Sequence, residues 1–171
     1  MISNTNLTVD LNEFIDIFDM PDNFLHFVHK KTGKIVTVDR SDLSYFEDGE
    51  DEEDDTYEDY HEWEREALLL AKDVAISDDY LELPSRESFE DYNIMEEFCL
   101  SMESSEIQEK LLHAIQGKGA FSRFKAALHY FDIEKKWYSN RHEDFKKLAV
   151  DWCKSQGFAY KYKLPSYLPD K

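Results

Sequence analysis

Apolar residues recur along this chain at two spacings, and the switch between them predicts where strands end and helices begin. Leu11, Phe14, Ile15 and Phe18 share one helical face, with Thr8 or Asp10 placed to cap it and Pro21 to end it. The run from Phe24 to Lys30 and the run from Lys34 to Val38 are rich in β-branched and aromatic residues. They flank Lys-Thr-Gly at 31–33, which predicts a β-hairpin. Ser41 or Asp42 can start a further turn of helix. A longer helix is expected from about Tyr60 to Ile76, with Trp63, Ala67, Leu70, Ala71 and Val74 on its apolar stripe. Tyr80-Leu-Glu-Leu-Pro84 alternates like a short strand available to extend the hairpin.

Beyond it the spacing is helical throughout. One helix, opened by Ser85 or Ser88, runs through Met102 with Phe89, Tyr92, Met95, Glu96 and Cys99. Ser104 or Ser105 caps the next, which carries Ile107, Leu111, Leu112 and Ile115. Gly117-Lys-Gly119 interrupts the pattern, and Ala120–Phe131 resumes it with Phe121, Phe124, Ala127, Leu128 and Phe131. The last helix starts at Glu134 or Ser139, presents Phe145, Leu148, Ala149 and Trp152, and stops at Gly157. No repeat or Ser/Gly linker divides the chain. The expected architecture is therefore α+β: one mostly helical domain over 1–160 with a small N-terminal β-hairpin, followed by an extended tail over 161–171.

Charge changes this picture in two places. The chain of 171 residues carries a formal net charge of −18, yet its 12 Phe, 10 Tyr and 3 Trp supply enough ring surface for a core. Residues 1–104 hold 7 basic against 30 acidic side chains, whereas residues 105–171 hold 13 against 8. From Glu47 to Asp59, ten of thirteen residues are acidic, which predicts a solvated, mobile loop. Such a run also resembles a polyanion and so offers a means of occupying a basic protein. It lacks the ligand spacing of a calcium loop despite Gly49.

Candidate chemistry is sparse. There is no GxGxxG, nucleophile elbow or CxxC, so no catalytic residue and no cofactor is nominated. His26 and His29 are an odd separation apart in a strand, on opposite faces, and cannot share an ion. Glu58-x-x-His61 is half of a di-iron motif without a second copy, so no metal is expected. The two Cys suit buried thiols in a reducing compartment, no secretory leader is visible, and no apolar run approaches a membrane span. A cytoplasmic protein is expected.

One segment stands apart: Gly117-Lys-Gly-Ala-Phe-Ser-Arg-Phe-Lys125. Gly117 and Gly119 permit a sharp path into a helix N-terminus, where free N–H groups favour anions. Lys118, Arg123 and Lys125 add positive charge, and Phe121 and Phe124 are expected to anchor the helix. Downstream, Trp137, Tyr138 and Arg141 supply rings and a guanidinium for stacking or packing. These eight residues, Gly117, Lys118, Gly119, Arg123, Lys125, Trp137, Tyr138 and Arg141, form the candidate anion- or partner-binding site. The competing reading is a plain helix–helix corner.

The runs Tyr80–Pro84, Asp91-Tyr-Asn-Ile-Met-Glu-Glu-Phe98, Gly117–Lys125, Trp137-Tyr138 and Ala149-Val-Asp-Trp152 together resemble uncharacterised protein family 0158 of the UPF series. The resemblance extends from Leu11 to Gln156. The family often has a second Arg where this chain has Ser122, and an acid where it has Ala126, which removes one cation from the loop. The resemblance implies a bacterial, cytoplasmic protein and supplies no activity. The reading that follows is a non-enzymatic binding or regulatory protein using its C-terminal helical region. A protein partner is favoured over nucleic acid or phosphate, because the −18 charge opposes non-specific polyanion binding.

Overall fold

The computed structural model describes residues 7–48, 57–85 and 91–168. Most of the acidic run therefore lies outside the described residues, as do Phe89 and Ser88. Contacts divide the chain into two compact units, one formed by residues 1–86 with 149–163 and the other by 87–148 with 164–171.

The first unit begins with strand β1 (Thr8–Asp10) and helix α1 (Leu11–Asp16). Asp10 caps α1, its Oδ1 accepting from the Asn12 N–H at 2.9 Å, so the strand's last residue also starts the helix. Strands β2 (Phe24–His29) and β3 (Ile35–Asp39) form the expected hairpin. Gly33 turns it at φ +72, and a Cβ there would stand 2.7 Å from the Thr8 carbonyl oxygen. Strand β4 (Tyr80–Glu82) pairs antiparallel with β2, giving the order β3-β2-β4. Asp39 then caps α2 (Arg40–Glu47), which is two turns long where one was expected. A 3-10 turn at Tyr57–Asp59 leads into α3 (Glu62–Ile76).

The sheet, α2 and α3 enclose a core of Phe27, Val38, Leu43, Phe46, Ala71 and Val74. The expected stripe on α3 is corrected at its N-terminal end: Trp63 is 68% exposed and Ala67 is exposed too. The helix buries its second half, with Leu68 and Leu70 packed at the edge of the core.

A second sheet was not anticipated. Strand β5 (Ala159–Lys161) runs parallel to β1 with Thr8 opposite Ala159, about 150 residues away in sequence. Asn12 reinforces the pairing, donating to the Lys163 carbonyl at 2.7 Å and accepting from the Lys163 N–H at 2.9 Å. Phe14 meets Trp152 edge to face, and Trp152 stacks on Phe158. Residues at the start of the expected tail are thus part of this unit's structure.

The second unit contains α4 (Asp91–Leu100), α5 (Ser105–Ala114), α6 (Ala120–Tyr130) and the first part of α7 (Glu134–Gln156). Ser104 caps α5 through its Oγ. Phe98, Phe124 and Trp137 meet edge to face in a core that also holds Met95, Cys99, Leu111 and Leu128. Tyr92 and Phe121, both expected inside, are 45% and 47% exposed. Each lies on the first turn of its helix, one turn before the residues that reach the core.

Candidate functional site

The loop between α5 and α6 is built on its glycines. Gly117 and Gly119 have φ of +73 and +80, and Gly119 is the N-cap residue of α6. The left-handed backbone turns the chain sharply from the end of one helix into the start of the next.

Arg123 then folds back over that turn. Its Nε donates to the Ala114 carbonyl at 3.0 Å, Nη1 to the Lys118 carbonyl at 2.7 Å, and Nη2 to the Gln116 carbonyl. Ala114 ends α5, so its carbonyl has no partner within the helix; the guanidinium satisfies it together with two loop carbonyls and complements the negative end of the helix dipole. The charge counted toward an anion is therefore committed to the backbone of its own loop. Lys118 remains exposed. Lys125 lays its Nζ over the Phe121 ring at 4.8 Å, a cation–π contact on the surface.

Downstream, Trp137 is buried among Phe98 and Phe124 and presents no ring face to solvent. It takes the packing role rather than the stacking one. Tyr138 is about half exposed. Arg141 sits over the Phe145 ring at 4.5 Å, half-buried. The structure thus brings Gly117, Lys118, Gly119 and Arg123 together as one loop, with Lys125 on the following turn.

The model of an uncharacterised protein family, UPF0158, matches residues 4–169. The chain belongs to this family. No curated protein and no solved structure matches it. Within this UPF0158 chain, the sequence runs that carried the resemblance include both the Arg123 corner and the core ring Trp137. Ser122, where the family often has a second Arg, is exposed.

Among the described residues no group of three His, Cys, Asp or Glu side chains is arranged to hold a metal, and no helix is long and apolar enough to cross a membrane. His26 is buried with Nδ1 2.9 Å from the Thr37 hydroxyl, and its burial pushes its pKa below the usual imidazole value. Burial likewise pushes the thiols of Cys99 and Cys153 up to about 11, which makes them inert.

The first unit also contains a recess that the apolar pattern did not foretell, with a volume of about 790 Å³. Tyr45, Tyr57, Tyr60 and Trp63 supply rings to its wall, and Asp39, Asp42 and Glu64 supply carboxylates. The available signal was the aromatic spacing at 57, 60 and 63, which falls in the sequence across the acidic run, the start of a helix and that helix's apolar stripe.

Proposed function

We propose that this UPF0158 protein is a non-enzymatic cytoplasmic binding protein that engages a protein partner through the surface around Gly117–Lys125. The observation that carries the reading is Phe121, a half-exposed ring with an ammonium laid across it. Phe124 and Leu128 hold the same helix in the core, so the ring is presented at little further entropic cost. Exposed aromatic rings on a rigid helix are enriched at protein interface centres. Nucleic acid or free phosphate is less well supported, since Arg123 is bonded to its own loop and Trp137 is inside.

The test compares wild type with Lys118→Ala/Phe121→Ala as bait in cell lysate, identifying proteins and nucleic acids. Both residues are exposed, so the variant is expected to keep its wild-type melting temperature. A protein held by wild type and reduced at least about tenfold by the variant is the expected result, the loss of a hot-spot residue. Identical catches would return the segment to a helix–helix corner. A catch of nucleic acid that falls steeply with salt would replace the protein partner with a polyanion.

A further inference from the structure

The recess of the first unit combines features that select one kind of ligand. Its rings come from three consecutive elements: Tyr45 from α2, Tyr57 from the 3-10 turn, and Trp63 from α3, with Tyr60 between the last two. The turn is braced from outside, Arg65 donating through Nε to the Tyr57 carbonyl at 3.2 Å. The Tyr57 and Tyr60 rings stand 6.1 Å apart at 62°, so their faces diverge instead of stacking shut. Tyr60 and Trp63 are 50% and 68% exposed. These are large rings left open at a concave surface.

The charge has one sign. Among the described residues the lining includes three carboxylates and no Lys, Arg or His. Asp39 and Glu64 are partly occupied as helix caps: Asp39 accepts from the Ser41 N–H at 2.8 Å and Glu64 from the His61 N–H at 3.0 Å. Asp42 has neither a basic neighbour in the lining nor a cap of this kind. Burial, and then the charge of Asp39, push its carboxyl above the usual carboxylate range. A cation entering the recess would relieve that repulsion.

We propose that this recess binds an organic ammonium cation, a methylated or quaternary nitrogen surrounded by the rings of Tyr45, Tyr57, Tyr60 and Trp63 and neutralised by Asp42 and its neighbours. Anions are opposed by the lining charge. A hard metal ion requires a shell of oxygens and gains little from ring faces. An alkylated ammonium is weakly hydrated, so it gives up water readily and gains from every ring quadrupole. The volume lies within the range of small-molecule sites.

The full-length protein is titrated with choline, with tetramethylammonium, and with 3,3-dimethylbutanol, the uncharged isostere of choline. Binding is followed by the indole N–H resonance of Trp63. Saturable binding of both cations, at least about tenfold tighter than the alcohol, is expected from the ring and carboxylate contributions. Trp63→Ala should weaken the cations about 2- to 30-fold, read by calorimetry, and Asp42→Asn should weaken them without affecting the alcohol. Trp63 is exposed, so its variant tests the site without disturbing the core. A peptide bearing trimethyllysine distinguishes the source: tighter binding than choline assigns a protein side chain, and equal or weaker binding assigns a free small cation. Equal affinity for choline and its neutral isostere would overturn the proposal, as would no saturation below about 10 mM of either cation.

Discussion

His26 shows how one residue type takes opposite roles within a few positions. It lies across the β2–β3 ladder from Thr37 and is buried, whereas His29, at the end of the same strand, is half-buried against the edge of Tyr80. Alternation places the two on different faces, both of which are covered in mid-strand, where His26, Phe27 and Val28 are all buried; the strand end leaves His29 partly open. Folding favours the neutral form of His26, and the unfolded chain takes up a proton first as the pH falls below about 6.5. Its contribution is therefore full above that value and declines on acidification toward its lowered folded pKa. His26→Gln is expected to flatten the slope of unfolding free energy against pH in this window. Urea titrations at several pH values give the slope, and an unchanged slope would show that other groups dominate it. The spacing argument that separated the two histidines is local geometry, which is why it was readable from sequence alone.

Helix ends are where local signals and long-range packing meet. Gly157 ends α7 as its position implied, with the Phe158 N–H reaching back to the Cys153 carbonyl at 2.9 Å. The end of α6 uses the same arrangement without a glycine: Asp132 adopts φ 54, and the Ile133 N–H bonds the Leu128 carbonyl at 3.0 Å. No sequence signal marks Asp132, because an αL aspartate is common enough to be tolerated and rare enough not to be expected. The corner between α5 and α6 is the more consequential case. Its glycines were legible, but the destination of the Arg123 guanidinium was not, since its partners are backbone carbonyls that every sequence possesses. Arg123→Ala is expected to cost about 1–3 kcal/mol of stability by leaving charge-assisted bonds to the α5 end unmade. Arg123→Lys should recover only part of that, because one ammonium cannot span three carbonyls. Equilibrium urea unfolding measures both, and a loss within about 0.5 kcal/mol would place Arg123 among ordinary surface positions.

At the scale of the whole chain, the first unit is completed by residues that arrive last. Strand β5, the Asn12–Lys163 pair of hydrogen bonds and the edge-to-face contact of Phe14 with Trp152 all tie residues 149–163 to the N-terminal segment. Deleting residues 157–171 is expected to lower the melting temperature by about 5–10 °C, the shift for a loss of a few kcal/mol in a chain of this size. Amide exchange at Thr8–Asp10 should rise in parallel, whereas Asn12→Ala should reproduce only a small fraction of the effect. A truncated chain that melts like the full one would show that β5 adds nothing to the unit. The sequence by itself determined the helices, the hairpin with its third strand, the caps at Asp10, Ser104 and Gly157 and the family, since these rest on periodicity and on residues near one another in the chain. Tertiary structure alone decided the pairing of β1 with β5, the outward turn of Trp63 and Phe121, and the attachment of Arg123 to its own loop. A pairing between two short strands about 150 residues apart leaves no local signal, and an aromatic ring on a helix is compatible with either face until its neighbours are in place.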